Sequence, residues 1–98
     1  MMQPREPLIP FDPREAMTVD AAAKIAGRDT RTIRNWCAES GIGRRIAGGP
    51  WAISKPLFFM LVEDRRRELA DYLDGRPLSQ IHVQYFERFA IGDLLKYR

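Results

Sequence analysis

Gly27-Arg28-Asp29-Thr30-Arg31-Thr32-Ile33-Arg34-Asn35-Trp36-Cys37-Ala38-Glu39-Ser40-Gly41 reads as a helix with its start and stop signals in place. Asp29 is a good N-cap, because its carboxylate accepts a free amide of the first turn. Gly41 permits the left-handed turn that ends a helix. Ile33, Trp36 and Cys37 fall at i, i+3 and i+4 and make one apolar stripe. At about 100° per residue, Arg31, Arg34, Asn35 and Ala38 lie opposite that stripe. A helix that buries Ile33 and Trp36 therefore turns two arginines and an asparagine outward together.

Working outward, Thr18 caps a first helix over Val19–Ala26, and Asp20 complements its positive end. Ala22, Ala23 and Ala26 leave room for a second helix to approach, Ile25 supplies the larger apolar contact, and Gly27 makes the turn. On the other side, Ile42-Gly43-Arg44-Arg45-Ile46, Ala47-Gly48-Gly49-Pro50 and Trp51-Ala52-Ile53 read as strand, turn and strand. A lone hairpin is marginal in water, so Trp51 and Ile53 are expected to pack on the helices.

Ser54 is expected to cap a third helix running to about Asp74, with Pro56 in its first turn and Gly75 and Pro77 beyond its end. Its apolar face is Phe58, Leu61, Val62, Leu69, Tyr72 and Leu73. Ser79 starts a fourth helix to about Ala90, with Ile81, Tyr85, Phe86 and Phe89 inward, and Gly92 breaks it. Residues 1–16 carry Pro4, Pro7, Pro10 and Pro13 and lack periodicity, so they read as an extended arm that either stays disordered or packs Leu8, Ile9 and Phe11 onto this domain or a neighbour. The expected organisation is this arm, a domain over 17–75, and a C-terminal helix over 76–98 for packing or oligomerisation.

Ninety-eight residues fit one domain. No apolar run approaches the ~20 residues of a membrane helix, and the proline-rich start does not resemble a signal peptide. One cysteine, Cys37, excludes an internal disulfide and fits a reducing cytoplasm. The net charge of +3 is unevenly spread. Residues 28–55 hold six basic and two acidic side chains, residues 1–27 three and four, residues 56–98 seven and seven. The excess positive charge sits in the central segment, the footprint of a polyanion binder.

Two short helices, a glycine turn and a basic hairpin define a winged helix-turn-helix, mostly α, followed by two further helices. A major groove about 12 Å wide admits one helix. The second helix, 29–40, would enter it while the first crosses the backbone. Arg31 and Arg34 suit guanine O6 and N7, and Asn35 suits adenine N6 and N7. Thr30, Thr32 and first-turn amides suit a phosphate oxygen. The 42–53 wing would bring Arg44 and Arg45 to the backbone or an adjacent minor groove, and Arg28 belongs to the same basic set.

The run Met17-Thr18-Val19-Asp20-Ala21-Ala22-Ala23 through Thr32-Ile33-Arg34-Asn35-Trp36 resembles the MerR/excisionase type of helix-turn-helix. An apolar-Thr-apolar start, two alanines, a glycine turn and Thr-apolar-x-x-Trp carry the likeness, and the wing with Trp51-Ala52-Ile53-Ser54 extends it to about Leu61. The resemblance implies DNA contact through Thr30, Arg31, Thr32, Arg34, Asn35 and the wing arginines. It implies the role of an excisionase-like architectural factor, a terminase small subunit or a small transcriptional regulator. Asp29 departs from the commoner Ser or Thr cap. The metal-sensing members' effector domain and long dimerisation helix have no counterpart, and the helices after Ser54 lie outside the shared pattern.

Each feature also has a plainer reading. Arg31, Arg34 and Asn35 could also be an ordinary solvated face, though the turn and wing around them favour DNA contact. Trp36 and Trp51 read as core rather than base-stacking residues, and Cys37 as an inert core thiol. With one Cys and one His, His82, no ordinary zinc site forms within the chain. Arg65, Arg66 and Arg67 are expected to pair along their helix with Glu63, Asp64, Glu68 and Asp71, with phosphate contact as the second reading. Phe59 and Met60 either fill the core or make a homodimer contact. No catalytic constellation or phosphate loop appears, so no enzyme activity, cofactor or small-molecule substrate is expected. The expected partner is double-stranded DNA, bound by a homodimer or cooperative array in the cytoplasm at the nucleoid. The rival is a protein–protein adaptor that keeps the fold without DNA binding.

Overall fold

The computed structural model of the chain describes residues 3–98. The first two residues of the expected arm, Met1 and Met2, lie outside the described residues. The chain is mostly helical with one three-stranded antiparallel sheet. In order come β1 (Ala16–Thr18), α1 (Val19–Ala26), α2 (Thr30–Ser40), β2 (Gly43–Arg45), β3 (Trp51–Ser54), α3 (Lys55–Val62), α4 (Arg66–Leu73), α5 (Gln80–Glu87) and a closing 3-10 helix, Gly92–Tyr97. No described helix is long and apolar enough to cross a membrane.

The helix pair α1–α2 forms where its capping residues dictate. Thr18 Oγ1 accepts the Ala21 amide at 3.1 Å, and Asp29 Oδ1 accepts the Thr32 amide at 2.8 Å. Ala22 and Ala23 are buried, as are Ile33 and Cys37 on the facing helix. Ile25 is not the large apolar contact of α1 that its sequence position suggests: it is 54% exposed. The buried face centres on the alanines, and Ile25 lies about 200° round the helix from Ala23.

β3 is the central strand. It pairs with β1 as Met17↔Ile53 and with β2 as Gly43↔Ile53, Arg44↔Ala52 and Arg45↔Trp51. β1 has three residues, too few to show strand alternation in the sequence. Gly43 lets α2 close over the sheet, since a Cβ there would meet the Ala52 carbonyl oxygen at 2.6 Å and Cys37 Sγ at 3.0 Å. At the hairpin tip Ala47 and Gly48 both take positive φ, the conformation that hairpin turns of type I′ require.

The expected third helix, 54–74, is two helices. Asp64 sits at φ 62 between α3 and α4. Its amide donates to the Leu61 carbonyl at 3.2 Å and the Arg65 amide to Met60 at 2.7 Å, the paired bonds of a Schellman stop. Aspartate tolerates the left-handed region better than most residues, so a helix end forms without glycine. Ser54 precedes α3 without a side-chain cap. Its hydroxyl donates instead to Glu15 Oε2 at 2.7 Å. The fourth helix ends at Glu87 rather than Ala90, which takes φ 58 while the Ile91 amide bonds back to Phe86.

A single core joins these parts: Ile42 and Ile53 of the hairpin meet Leu57, Phe58 and Met60 of α3, Tyr72 of α4 and Phe86 of α5. Met60 is fully buried, and the Phe59 ring packs on Phe58 and Phe89 at centroid distances of 5.2 and 5.4 Å. The pair expected as core or dimer contact is thus occupied within the chain.

The arm is tied down. Leu8 is fully buried and Arg5 donates to the carbonyls of Tyr72 and Arg76. Ile9 and Phe11, expected to pack with Leu8, stay 42% and 48% exposed. The chain passes so close to Gly75 that a Cβ there would overlap the Gln3 carbonyl. Beneath the arm, Glu15 is wholly buried and paired with Arg98, which also donates to the Tyr72 hydroxyl at 3.1 Å.

Candidate nucleic-acid interface

The reading of α2 as a helix with an apolar stripe fixes where its polar side chains go. Burial of Ile33 and Cys37, with Trp36 packed against the same core, leaves Arg31, Arg34, Asn35 and Ala38 exposed on the far side. Thr30 and Thr32 are half-buried at the helix start, and Arg28 is exposed in the preceding turn. Asp29 does not face outward as a free carboxylate. The Thr32 amide, then its hydroxyl, hold the Asp29 carboxyl below its ordinary pKa, with smaller contributions from Arg31 and Arg34. The negative charge is thereby spent on the helix's own amides.

The hairpin lies beside this face. Arg34 of α2 and Arg45 of β2 line one groove of about 610 Å³ with Thr18, Asp20, Pro50 and Trp51. Strand alternation separates the two hairpin arginines. A Cβ built on Gly43 would point at Cys37 of α2, so Arg45, two residues on, shares the helix-facing side, while Arg44 is half-buried on the other. The Arg45 guanidinium donates to the carbonyls of Gly49 at 2.7 Å and Gly48 at 2.8 Å. It braces the turn, so the tip is less free than its two glycines suggest. Sequence reasoning treats Arg44 and Arg45 as equivalent; the structure gives them different surroundings.

Electrostatically, the central segment stands apart. The seven ion pairs among the described residues use Arg14, Arg65, Arg66, Arg76, Arg88 and Arg98. None uses a basic residue of the 28–55 segment. Arg31, Arg34, Arg44, Arg45 and Arg28 therefore carry charge that no carboxylate of the fold neutralises through an ion pair. Such a set can bond anionic oxygens or the acceptor edges of bases, and the Asn35 amide adds a donor and an acceptor.

Several groups found elsewhere have no simple sequence signal. His82 is buried, with Nδ1 accepting the Ser79 amide at 2.9 Å and Nε2 bonded to the Glu68 carbonyl at 2.7 Å. It is a brace between α4 and α5. Arg65 pairs with Glu68 as expected, but Arg66 turns back to Asp64 and Glu63 is taken by Arg88 and Tyr85 from α5. Burial raises the Cys37 thiol to about 11, which leaves it protonated and inert at neutral pH. Among the described residues no three His, Cys, Asp or Glu side chains converge as a metal site.

No family model matches the chain, and comparison with curated proteins and with solved structures finds no match.

Proposed function

We propose that this chain is a sequence-specific, non-enzymatic DNA-binding protein of winged helix-turn-helix architecture. In this reading α2 enters a major groove, α1 crosses the backbone, and the β2–β3 hairpin is the wing. The observation that carries it is the exposed trio Arg31, Arg34 and Asn35 beside the Arg45 hairpin, with none of its arginines in an ion pair among the described residues. Arg31 and Arg34 read guanine, Asn35 reads adenine, and Thr30 and Thr32 sit where first-turn groups meet phosphate. Arg28 and Arg44 add backbone contacts. Arg45 acts first on the wing's shape and second on the phosphate it faces. The role is that of an excisionase-like architectural factor or a small transcriptional regulator at the nucleoid.

The test is selection of duplexes from a random library, followed by binding of variants to the recovered site. Arg34→Ala costs about 1–3 kcal/mol and relaxes preference at one base pair. Arg44→Ala weakens all sequences alike and reduces the slope of log affinity against log salt by about 1. Recovery of no motif, or an Arg34→Ala protein that binds the selected site as tightly as the parent, removes the proposal.

A further inference from the structure

Glu15, Ser54 and Arg98 lie far apart in the sequence and meet at one carboxylate. Glu15 is wholly buried, and its two oxygens are divided between two partners. Oε2 accepts the Ser54 hydroxyl at 2.7 Å, and Oε1 accepts the Arg98 guanidinium. A buried carboxylate persists when it is paired and hydrogen-bonded, and charge-assisted bonds of this kind are short and directional. The carboxylate therefore has one place to sit, and it fixes what it bonds.

One of the things it bonds is the root of the hairpin. Ser54 ends β3, is itself fully buried, and donates its amide to the Ile42 carbonyl at 2.9 Å, across the base of the hairpin. A serine before a helix ordinarily turns its hydroxyl to the helix amides, but here α3 goes without that cap and Glu15 takes the hydroxyl. The Glu15 carbonyl also accepts the Lys55 amide at 2.8 Å, next to the Ala16↔Ser54 pair. Main chain and side chain of Glu15 thus tie the start of β1 to the end of β3. The Arg34–Arg45 groove is built on those strands. Thr18 ends β1 and Asp20 follows in α1, Arg45, Pro50 and Trp51 belong to the hairpin, and Arg34 comes from α2. A hairpin with strands of three and four residues is marginal unaided, so its setting depends on such anchors.

We propose that Glu15 is a positioning residue of the DNA-binding face, holding the wing at a fixed setting against α1 and α2. The arginines supply the contacts, and Glu15 supplies their spacing from beneath. That the positioned face binds DNA rests on the function proposed above; that Glu15 holds the hairpin does not.

The test compares two variants that each remove one hydroxyl from the same buried network. Ser54→Ala cuts Glu15 from the hairpin and leaves its pair with Arg98 in place. Tyr72→Phe removes the hydroxyl that Arg98 meets at 3.1 Å and leaves the hairpin root intact. In the full chain without DNA, amide hydrogen exchange over 42–54 rises about tenfold relative to α5 in Ser54→Ala, the factor that one lost hydrogen bond supports, and stays at the parent level in Tyr72→Phe. On a duplex recovered by selection, Ser54→Ala binds about tenfold more weakly and with a shallower salt dependence, while base preference is kept and Tyr72→Phe binds as the parent does. Equal exchange profiles for the two variants make the network a stability device alone and overturn the proposal. A Ser54→Ala hairpin that loosens while affinity and salt slope match the parent's overturns it as well. Recovery of no motif removes the DNA-binding reading instead, and the exchange comparison then still decides whether Glu15 holds the hairpin.

Discussion

Arg34 and Arg98 are the same residue type put to opposite uses. Arg34 stands exposed on α2 with no ion-pair partner among the described residues. Arg98 has a side chain 1% exposed, bonded to Glu15 and the Tyr72 hydroxyl. The contrast extends to whole regions. From residue 56 onward basic and acidic side chains balance, and Arg88, for example, is clamped to Glu63 at 2.7 Å while lying over the Tyr85 ring at 4.6 Å. There arginine serves the fold by tying helices together. In residues 28–55 the arginines outnumber the carboxylates, and only Arg45 does structural work, through carbonyls rather than carboxylates. Charge that a fold does not neutralise internally remains available to an external anion.

The sharpest way to break that contrast is to remove each kind of arginine and weigh the cost. Arg98→Ala strands Glu15 as an uncompensated buried charge, and breaking such a pair typically costs about 3–5 kcal/mol. Arg31→Ala and Arg34→Ala remove no ion pair among the described residues and should stay within about ±0.5 kcal/mol of the parent in stability. Urea unfolding measures both. If Arg34→Ala destabilises the fold as Arg98→Ala does, the division between structural and available arginines is wrong.

A smaller loss follows from His82, which braces the C-terminal helices as Arg98 braces the arm. His82→Ala removes a buried imidazole and leaves the Ser79 amide and Glu68 carbonyl without their partner; both bonds are only part-buried, so the total cost is about 1–3 kcal/mol. Unfolding midpoints should fall while affinity for a selected DNA site, measured well below the melting temperature, is unchanged. A loss of binding at full folding would place the C-terminal helices in the interface.

The same contrast explains what was legible in the sequence. α1, α2 and the hairpin are local structures whose caps, glycines and apolar spacing lie within a few residues, so Thr18, Asp29, Gly41 and the Gly48 turn mark them directly. The exposure of Arg31, Arg34 and Asn35 follows from helical geometry once Ile33 is buried. What escaped depends on distant partners. Glu15 and Arg98 are separated by almost the whole chain, and nothing in either neighbourhood announces a buried pair. The break at Asp64 escaped because a left-handed aspartate looks like any acidic helix residue. Ile25 reads as buried from its apolar character alone, whereas the close approach of two helices selects the alanines. Ser54 looked like a cap, but Glu15 claimed its hydroxyl from the arm.

The finest test of the contrast is its response to acid. The Glu63 carboxyl is held below its ordinary pKa, first by Arg88 and then by the Tyr85 hydroxyl. A depressed folded-state value stabilises the native state above the unfolded pKa of about 4.3 and loses that contribution as pH falls through the folded value. Because Glu63 is 41% exposed at its side chain, solvent screening keeps the contribution below about 1 kcal/mol. Glu63→Gln should therefore be slightly less stable than the parent at pH 6 and converge with it as pH falls through the depressed folded-state value and the carboxyl becomes neutral. Arg88→Ala should remove most of the same acid-sensitive increment, since it removes the main cause of the shift. Arg34→Ala should leave the acid limb nearly unchanged, because Asp29, whose pKa it lowers only slightly, is shifted chiefly by the Thr32 amide. Parallel stability profiles for the Arg88 and Arg34 variants would mean that the two arginines sit in equivalent electrostatic surroundings, and the case for an outward-directed basic face would lose its ground.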